Sequence, residues 1–216
     1  MKEKIKTILY NKVFSKVLDR FLNCDLNDSI ILNESDMKSL LYCRLFDKKI
    51  FSEPTKSSRK YPGYKVNLLH TEYYRTKNRK SKKGPRGRWD IAILYPDAYP
   101  EPWIKASDKD ADYHNRRPIM IGCELKYKYY RNPGKNWKLT TIKEIDGDAS
   151  VFSGKHPKYG WVVYIDVRKD SKGMMTIMQQ RDVYKKLKAM KRKLPHVCFR
   201  YVEYDEERGR RRIIKV

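Results

Sequence analysis

The segment Ile119-Met-Ile-Gly-Cys-Glu-Leu-Lys126 is apolar enough for a central β-strand, yet it ends in an acid and a base two residues apart. In a strand, Ile119, Ile121, Cys123 and Leu125 face one way, and Met120, Gly122, Glu124 and Lys126 the other. A central strand seldom puts two charges on one face, because burying either alone is costly. Taken by itself, such a pair in a lysine-rich chain is an exposed face carrying an ion pair. The preceding strand-like segment, Trp89-Asp-Ile-Ala-Ile-Leu-Tyr95, changes that reading, since Asp90 opens its apolar run. Hairpin-like pairing of the two segments would bring Asp90 near Glu124. Two carboxylates there could hold a hard divalent cation, with magnesium the usual candidate. The cation would polarise a phosphodiester and acidify a bound water, while Lys126 orients that water and offsets transition-state charge.

The elements that must position these groups are legible in the periodicity. Residues 3–22 carry Ile5, Ile8, Leu9, Val13, Phe14, Val17, Leu18 and Phe21 at helical spacing. A turn is expected around Asn23 to Ser29, then a second helix capped by Asn33 and running through Met37, Leu40, Leu41 and Leu45. Ser52–Pro62 reads as a loop. Three strands follow, Tyr64–Arg75, Trp89–Tyr95 and Ile119–Tyr130. The basic loop KNRKSKKGPRGR (77–88) separates the first two, and a polar excursion from Pro96 to Pro118 separates the last two. Trp137–Phe152 reads as a helix, Tyr159–Val167 as an apolar strand and about Gln180–Lys193 as a basic helix stopped before Pro195. Val197–Tyr204 and Arg211–Val216 read as closing strands. The expectation is one α/β domain over residues 1–216, a mixed central sheet flanked by helices, with no internal repeat or linker.

Asp90 and Glu124-Leu-Lys126, set on strands and followed by a helix and another apolar strand, resemble the PD-(D/E)xK nuclease superfamily. Its members include restriction endonucleases and Holliday-junction resolvases. The resemblance covers roughly residues 30–170, a helix-strand-strand-strand-helix-strand core; Trp89 stands where the name-giving proline would be, and the 96–118 excursion is an added feature. It implies a restriction-endonuclease-like core and a metal-dependent nuclease acting on DNA. Asp90 and Glu124 would be ligands of magnesium (Mg2+), for which manganese (Mn2+) could substitute. The Leu125 carbonyl would complete the site, and Lys126 would be the water-positioning base. Many members add a glutamate from the first core helix, and Glu34 is placed for it, three and seven residues before Met37 and Leu41 on the inward stripe. Glu34 is equally a first-turn acid favoured by the helix dipole. Glu72, with His70 two residues before it on one strand face, is the rival for that extra carboxylate, although an ion pair suits it better. Asp148 resembles an acid often found after this strand, with a structural role expected.

Composition bounds the partner. Fifty Lys and Arg against 26 Asp and Glu give a net charge of +24 and a pI near 9.8. A compact domain with that charge favours a polyanion. The basic residues are spread along the chain instead of lining one amphipathic helix, no apolar run approaches a membrane span, and the N-terminus lacks the apolar stretch of a signal peptide. The expected partner is therefore nucleic acid and not a membrane, in an intracellular, cytoplasmic setting. Phosphate contacts are expected from Lys80, Lys82, Lys83, Arg86 and Arg88 in the basic loop, and from Lys128, Arg131, Lys135 and Lys138 beyond the second acid. Tyr127, Tyr129 and Tyr130 are expected to pack.

Other signals are weak. Cys24, Cys43, Cys123 and Cys198 form no CxxC pair and read as reduced thiols packed as small apolar groups. His70, His114, His156 and His196 lack zinc-ligand spacing. Asp108-Lys-Asp-Ala-Asp112 lacks the glycine and closing glutamate of a calcium loop. Two alternatives to a DNA nuclease stay open: a nucleic-acid-binding module with a degenerate site, and an RNA-directed enzyme or binding protein. A homodimer would let two such sites cut two strands, with the first helix as one contact.

Overall fold

The computed structural model describes residues 2–26, 33–56, 65–74, 88–95, 119–130, 137–152, 157–168, 175–205 and 209–216. Six strands make one mixed sheet in the chain order β3 (Leu69–Tyr74), β4 (Arg88–Leu94), β5 (Ile119–Tyr130), β6 (Tyr159–Arg168), β7 (Val197–Asp205) and β8 (Arg210–Lys215). The β5–β6 and β6–β7 pairs are parallel and the other three antiparallel. Parallel neighbours need long crossovers. These are supplied by α4 (Trp137–Ser150) between β5 and β6, and by α5 (Ile177–Lys193) between β6 and β7. The remaining helices, α1 (Lys2–Arg20), α2 (Glu34–Phe46) and the short α3 (Lys49–Ser52), precede the sheet. A separate two-stranded ribbon pairs β1 (Thr55–Lys56) with β2 (Lys65–Val66), inside and just beyond the stretch expected to be loop.

Strand β5 is central, and residues 119–125 are all buried, so its acid Glu124 is enclosed with its apolar neighbours. This is the pattern of a strand covered on both sides. The N-terminal helix packs on the sheet: Phe14 meets Trp161 of β6 with ring centroids 5.5 Å apart, Trp161 Nε1 donates to Asn11 Oδ1 at 3.0 Å, and Arg200 Nε of β7 donates to Asp19 Oδ1 at 3.0 Å. Phe14, Val17, Leu18 and Phe21 are buried, but Ile8 and Leu9 are about half exposed, so these two apolar positions of the stripe do not join the core.

Three features differ from the sequence expectation. The single strand expected over Tyr64–Arg75 is divided: Lys65–Val66 belongs to the small ribbon and Leu69–Tyr74 to the main sheet. In place of a turn at Asn23, the helix continues as a π turn over Phe21–Asp25. Phe21, Leu22 and Leu26 remain in the core, and Asp25 is held by Arg44 of α2 through Nε at 3.0 Å and Nη2 at 3.2 Å. Helix α5 begins at Ile177, three residues before the expected start, because Thr176 and Gln179 form a capping box. The spacing Thr-x-x-Gln was visible and carries that start. Cys123 is buried as expected, whereas Cys24 and Cys43 are exposed and so do not pack as small apolar groups. Among the described residues, no helix is long and apolar enough to cross a membrane.

Candidate active site

Asn33 starts α2. Its Oδ1 accepts from Asp36 N–H at 3.0 Å and its own N–H donates to Asp36 Oδ2 at 3.2 Å, a cap that contributes about 1 kcal/mol. Met37, Leu41 and Leu45 then turn into the core. Glu34 and Lys38, one turn apart, flank that stripe and reach toward β4 and β5. The helix is therefore fixed by its cap and its leucines, and its two charged residues follow.

The strand register supplies the other acids. Strands β4 and β5 pair Ile91 with Cys123 and Ala92 with Gly122, so one step further along this register sets Asp90 across from Glu124. Strands β3 and β4 pair Thr71 with Ile91 and Tyr73 with Trp89, which sets Glu72 across from Asp90. Three acids thus occupy one row across three neighbouring strands. Asp90 is 8% exposed and Glu124 3%.

Each carboxylate oxygen of Asp90 is engaged. Oδ2 accepts the Leu125 backbone N–H at 2.7 Å, and Oδ1 lies 3.0 Å from Lys38 Nζ, which also pairs with Glu72. Lys126 Nζ lies 3.4 Å and 3.5 Å from the two oxygens of Glu34. Burial alone would lower the pKa of Lys126. The carboxylates of Glu34, Asp148, Asp90 and Glu124 outweigh it and hold the pKa above the usual lysine value. Lys38 follows the same logic: burial lowers it, and hydrogen bonds and charge from Glu72 and Asp90 raise it to a net increase. Burial pushes the Cys123 thiol well up, with the charges of Asp90 and then Glu124 adding to it, so this cysteine stays a protonated, inert thiol.

These contacts define an acidic island in a basic chain. Among the described residues, Glu34, Glu72, Asp90, Glu124 and Asp148 surround two ammonium groups, Lys38 and Lys126. All five potential donors are hard oxygens, the chemistry suited to magnesium or manganese. As they stand, no three acidic, thiol or imidazole groups among the described residues converge in a metal-holding cluster; Asp90 and Glu72 pair with Lys38, and Glu34 with Lys126. The donor chemistry fits a divalent cation, which would have to displace an ammonium to bind.

Of the sequence-derived candidates, Asp90, Glu124, Lys126 and Glu34 come together, and Leu125 contributes its amide to Asp90. Asp148 adds its charge to Lys126, and Glu72 forms the ion pair expected of it. His70 Nε2 contacts the Asn67 carbonyl at 2.7 Å. Among the basic candidates, Arg88 is exposed at the start of β4. Lys128 pairs with Glu144 of α4 at 3.2 Å, and Glu144 also accepts from Tyr164 Oη at 2.6 Å. Lys80, Lys82, Lys83, Arg86, Arg131 and Lys135 lie outside the described residues, as do His114, His156 and the 108–112 acidic run; Lys138 is in α4, with its side chain outside them. Tyr127 packs against the core.

Lys38 was not singled out from the sequence. Its only signal was its position four residues after Glu34, on a helix already assigned to the core. Glu72 carried a second hidden feature: its φ is +50°, the left-handed region, in the middle of β3. A residue other than glycine held there costs about 1–3 kcal/mol, and such strain clusters at functional sites.

Comparison of the chain with family models, with curated proteins and with solved structures finds no match.

Proposed function

We propose that this protein is a metal-dependent nuclease of the PD-(D/E)xK type, cutting phosphodiester bonds of DNA at the Asp90–Glu124–Lys126 site. The observation that carries the reading is the convergence at β4 and β5: the register sets Asp90 across from Glu124, Asp90 Oδ2 accepts the Leu125 N–H at 2.7 Å, and Lys126 Nζ lies 3.4 Å from Glu34 of α2. Two neighbouring buried carboxylates, Asp90 and Glu124, are unfavourable for a purely structural core, and they are poorly suited to binding phosphates by themselves. They suit a site that recruits a cation. The element order α2–β3–β4–β5–α4–β6 supports a restriction-endonuclease-like core.

Asp90 and Glu124 would hold the ion, with the Leu125 carbonyl and Glu34 as further oxygens. A divalent cation bound there supplies Lewis-acid polarisation of the phosphodiester and a more acidic water. The chain's own groups do the rest. Leu125 N–H keeps the Asp90 carboxylate aimed by holding one oxygen. Lys126, kept protonated by its neighbours, donates hydrogen bonds that orient the water and offset charge on the phosphoryl oxygens. Glu34 anchors Lys126 from the helix side. The net charge of +24 attracts the polyanionic substrate to an otherwise acidic centre.

The test is a cleavage assay on labelled single-stranded, duplex and branched DNA and on RNA, with magnesium, manganese or EDTA. The Glu124→Ala, Lys126→Ala double variant runs alongside. Metal-dependent cutting of DNA, lost in the variant, is the expected result. Cutting of RNA alone would move the activity to the other polymer, and binding without cutting in any metal would leave a nucleic-acid-binding module.

A further inference from the structure

We infer that Lys38 is the resident counter-cation of the site: its ammonium holds the place of a divalent cation beside Asp90 and is handed to Glu72 when the ion binds. The inference rests on the metal-dependent reading above and deepens it.

Four observations converge. Lys38 Nζ reaches Asp90 Oδ1 at 3.0 Å and Glu72 as well, so one ammonium bridges two acids that the strand register sets opposite each other. The side chains differ in exposure: Lys38 is 14% exposed and Asp90 11%, but Glu72 is 45% exposed. The bridge therefore has a buried end and a solvent end. Asp90 is anchored through its other oxygen by Leu125 N–H, so its carboxylate stays in place when Lys38 leaves. Finally, Glu72 adopts φ +50° at this one step of β3, a conformation that departs from the strand where its carboxylate meets Lys38. Glu72 is thus a positioning residue for Lys38.

The physics of the exchange is charge competition. A hard dication held by Asp90 and Glu124 would repel the Lys38 ammonium, and the attraction of Asp90 for Lys38 would fall as its charge is shared. Lys38 needs only to release Asp90, because Glu72 keeps it paired at the rim. No buried charge is stranded at any stage, which is what makes such an exchange accessible. The ion-free protein keeps a neutralised acid, and the ion-loaded protein keeps a paired lysine.

The readout is metal binding, independent of cleavage. Mn2+ affinity is measured by calorimetry on the full chain without nucleic acid, with thermal denaturation in EDTA and in saturating Mn2+. For Lys38→Met the expected result is Mn2+ binding about tenfold tighter than wild type, since a competing unit charge is gone. Its melting temperature should be lower in EDTA, with a larger rise on adding Mn2+. Lys38→Arg, which keeps the charge in a fork that grips carboxylates more firmly, should bind Mn2+ about tenfold more weakly. It also serves as the reading if the methionine variant does not fold. Unchanged affinity in the folded variants overturns the inference, as does weaker binding by Lys38→Met. Absence of Mn2+ binding in all three proteins overturns it too, together with the metal-dependent reading. Wild-type Mn2+ binding with the expected shifts but no cleavage of any nucleic acid would overturn the nuclease and leave the Lys38 exchange standing.

Discussion

The Leu125 backbone amide donates to Asp90 Oδ2 at 2.7 Å, tying the acid at the start of β4 to the backbone between Glu124 and Lys126. The two halves of the candidate site are therefore one hydrogen-bonded unit. Asp90→Asn tests it, because an amide oxygen can still accept from Leu125 while the negative charge is lost. The expected outcome is a folded protein whose cleavage falls about a hundredfold or more. Asp90→Ala also leaves the buried Leu125 amide without this acceptor and should lose a further 1–3 kcal/mol or so of stability in urea denaturation. Both variants should bind DNA as well as wild type or better, since negative charge is removed from the path of the phosphates; full activity in Asp90→Asn would remove Asp90 from the site.

Lys126 and Glu34 are partners of unequal weight. Lys126→Met removes an ammonium paired with Glu34 and held in the field of three further carboxylates, and cleavage should fall by about 10²–10³ while DNA binding persists. Glu34→Gln breaks only one contact, in which the Lys126 side chain is 30% exposed and Glu34 35%. Its stability change should stay within about 1 kcal/mol. If Glu34 serves as a further oxygen ligand, its Mn2+ affinity should nevertheless fall, by about 10- to 100-fold; unchanged affinity would confine Glu34 to anchoring Lys126.

The raised pKa of Lys126 sets a sign for pH dependence. A folded-state value above the unfolded one means that the protonated lysine stabilises the fold. That contribution is complete below the ordinary lysine value of 10.5 and is lost as pH rises through the higher folded value. The melting-temperature difference between wild type and Lys126→Met should thus be flat from pH 7 to about pH 9 and shrink above about pH 10.5. A difference that shrinks on acidification through pH 7 would contradict the cause assigned here.

Close packing beneath the site gives a separate test. A Cβ added to Gly160 would lie 2.6 Å from Phe152 Cε1 and 2.9 Å from Val197 Cγ2, and one added to Gly122 would lie 2.9 Å from Pro157 Cγ and 3.0 Å from Trp89 Cε3. Trp89 and Phe152 pack with ring centroids 4.6 Å apart, so neither ring can retreat without moving the other. Gly160→Ala should cost about 1–3 kcal/mol of stability. Gly122→Ala, two residues before Glu124 and packed against the residue before Asp90, should lower cleavage more than stability.

Salt dependence tests the polyanion partner. Binding to duplex DNA should weaken linearly in log-log form with a slope of about −0.9 per phosphate neutralised. A flat response would assign the +24 charge to something other than phosphate contact.

Much of this protein can be read from local pattern. The apolar runs of β4 and β5, the alternation that carries Glu124 and Lys126, and the Asn33 cap of α2 are short-range facts, decided by side-chain spacing and backbone hydrogen bonding within a few residues. For that reason Asp90, Glu124, Lys126 and Glu34 are legible as candidates in the sequence alone. The capping box of Thr176 and Gln179 is equally local. The Lys38–Asp90–Glu72 bridge is different in kind. It depends on α2 lying across β3 and β4 and on the register that sets Glu72 opposite Asp90, and charge pairing between distant segments leaves no periodic trace in the chain. The same holds for Lys126, whose four acidic neighbours come from four elements. Spacing along the chain determined which groups could do chemistry, and packing determined which ammonium group each acid meets, because Coulomb energy depends on distance in space and on burial.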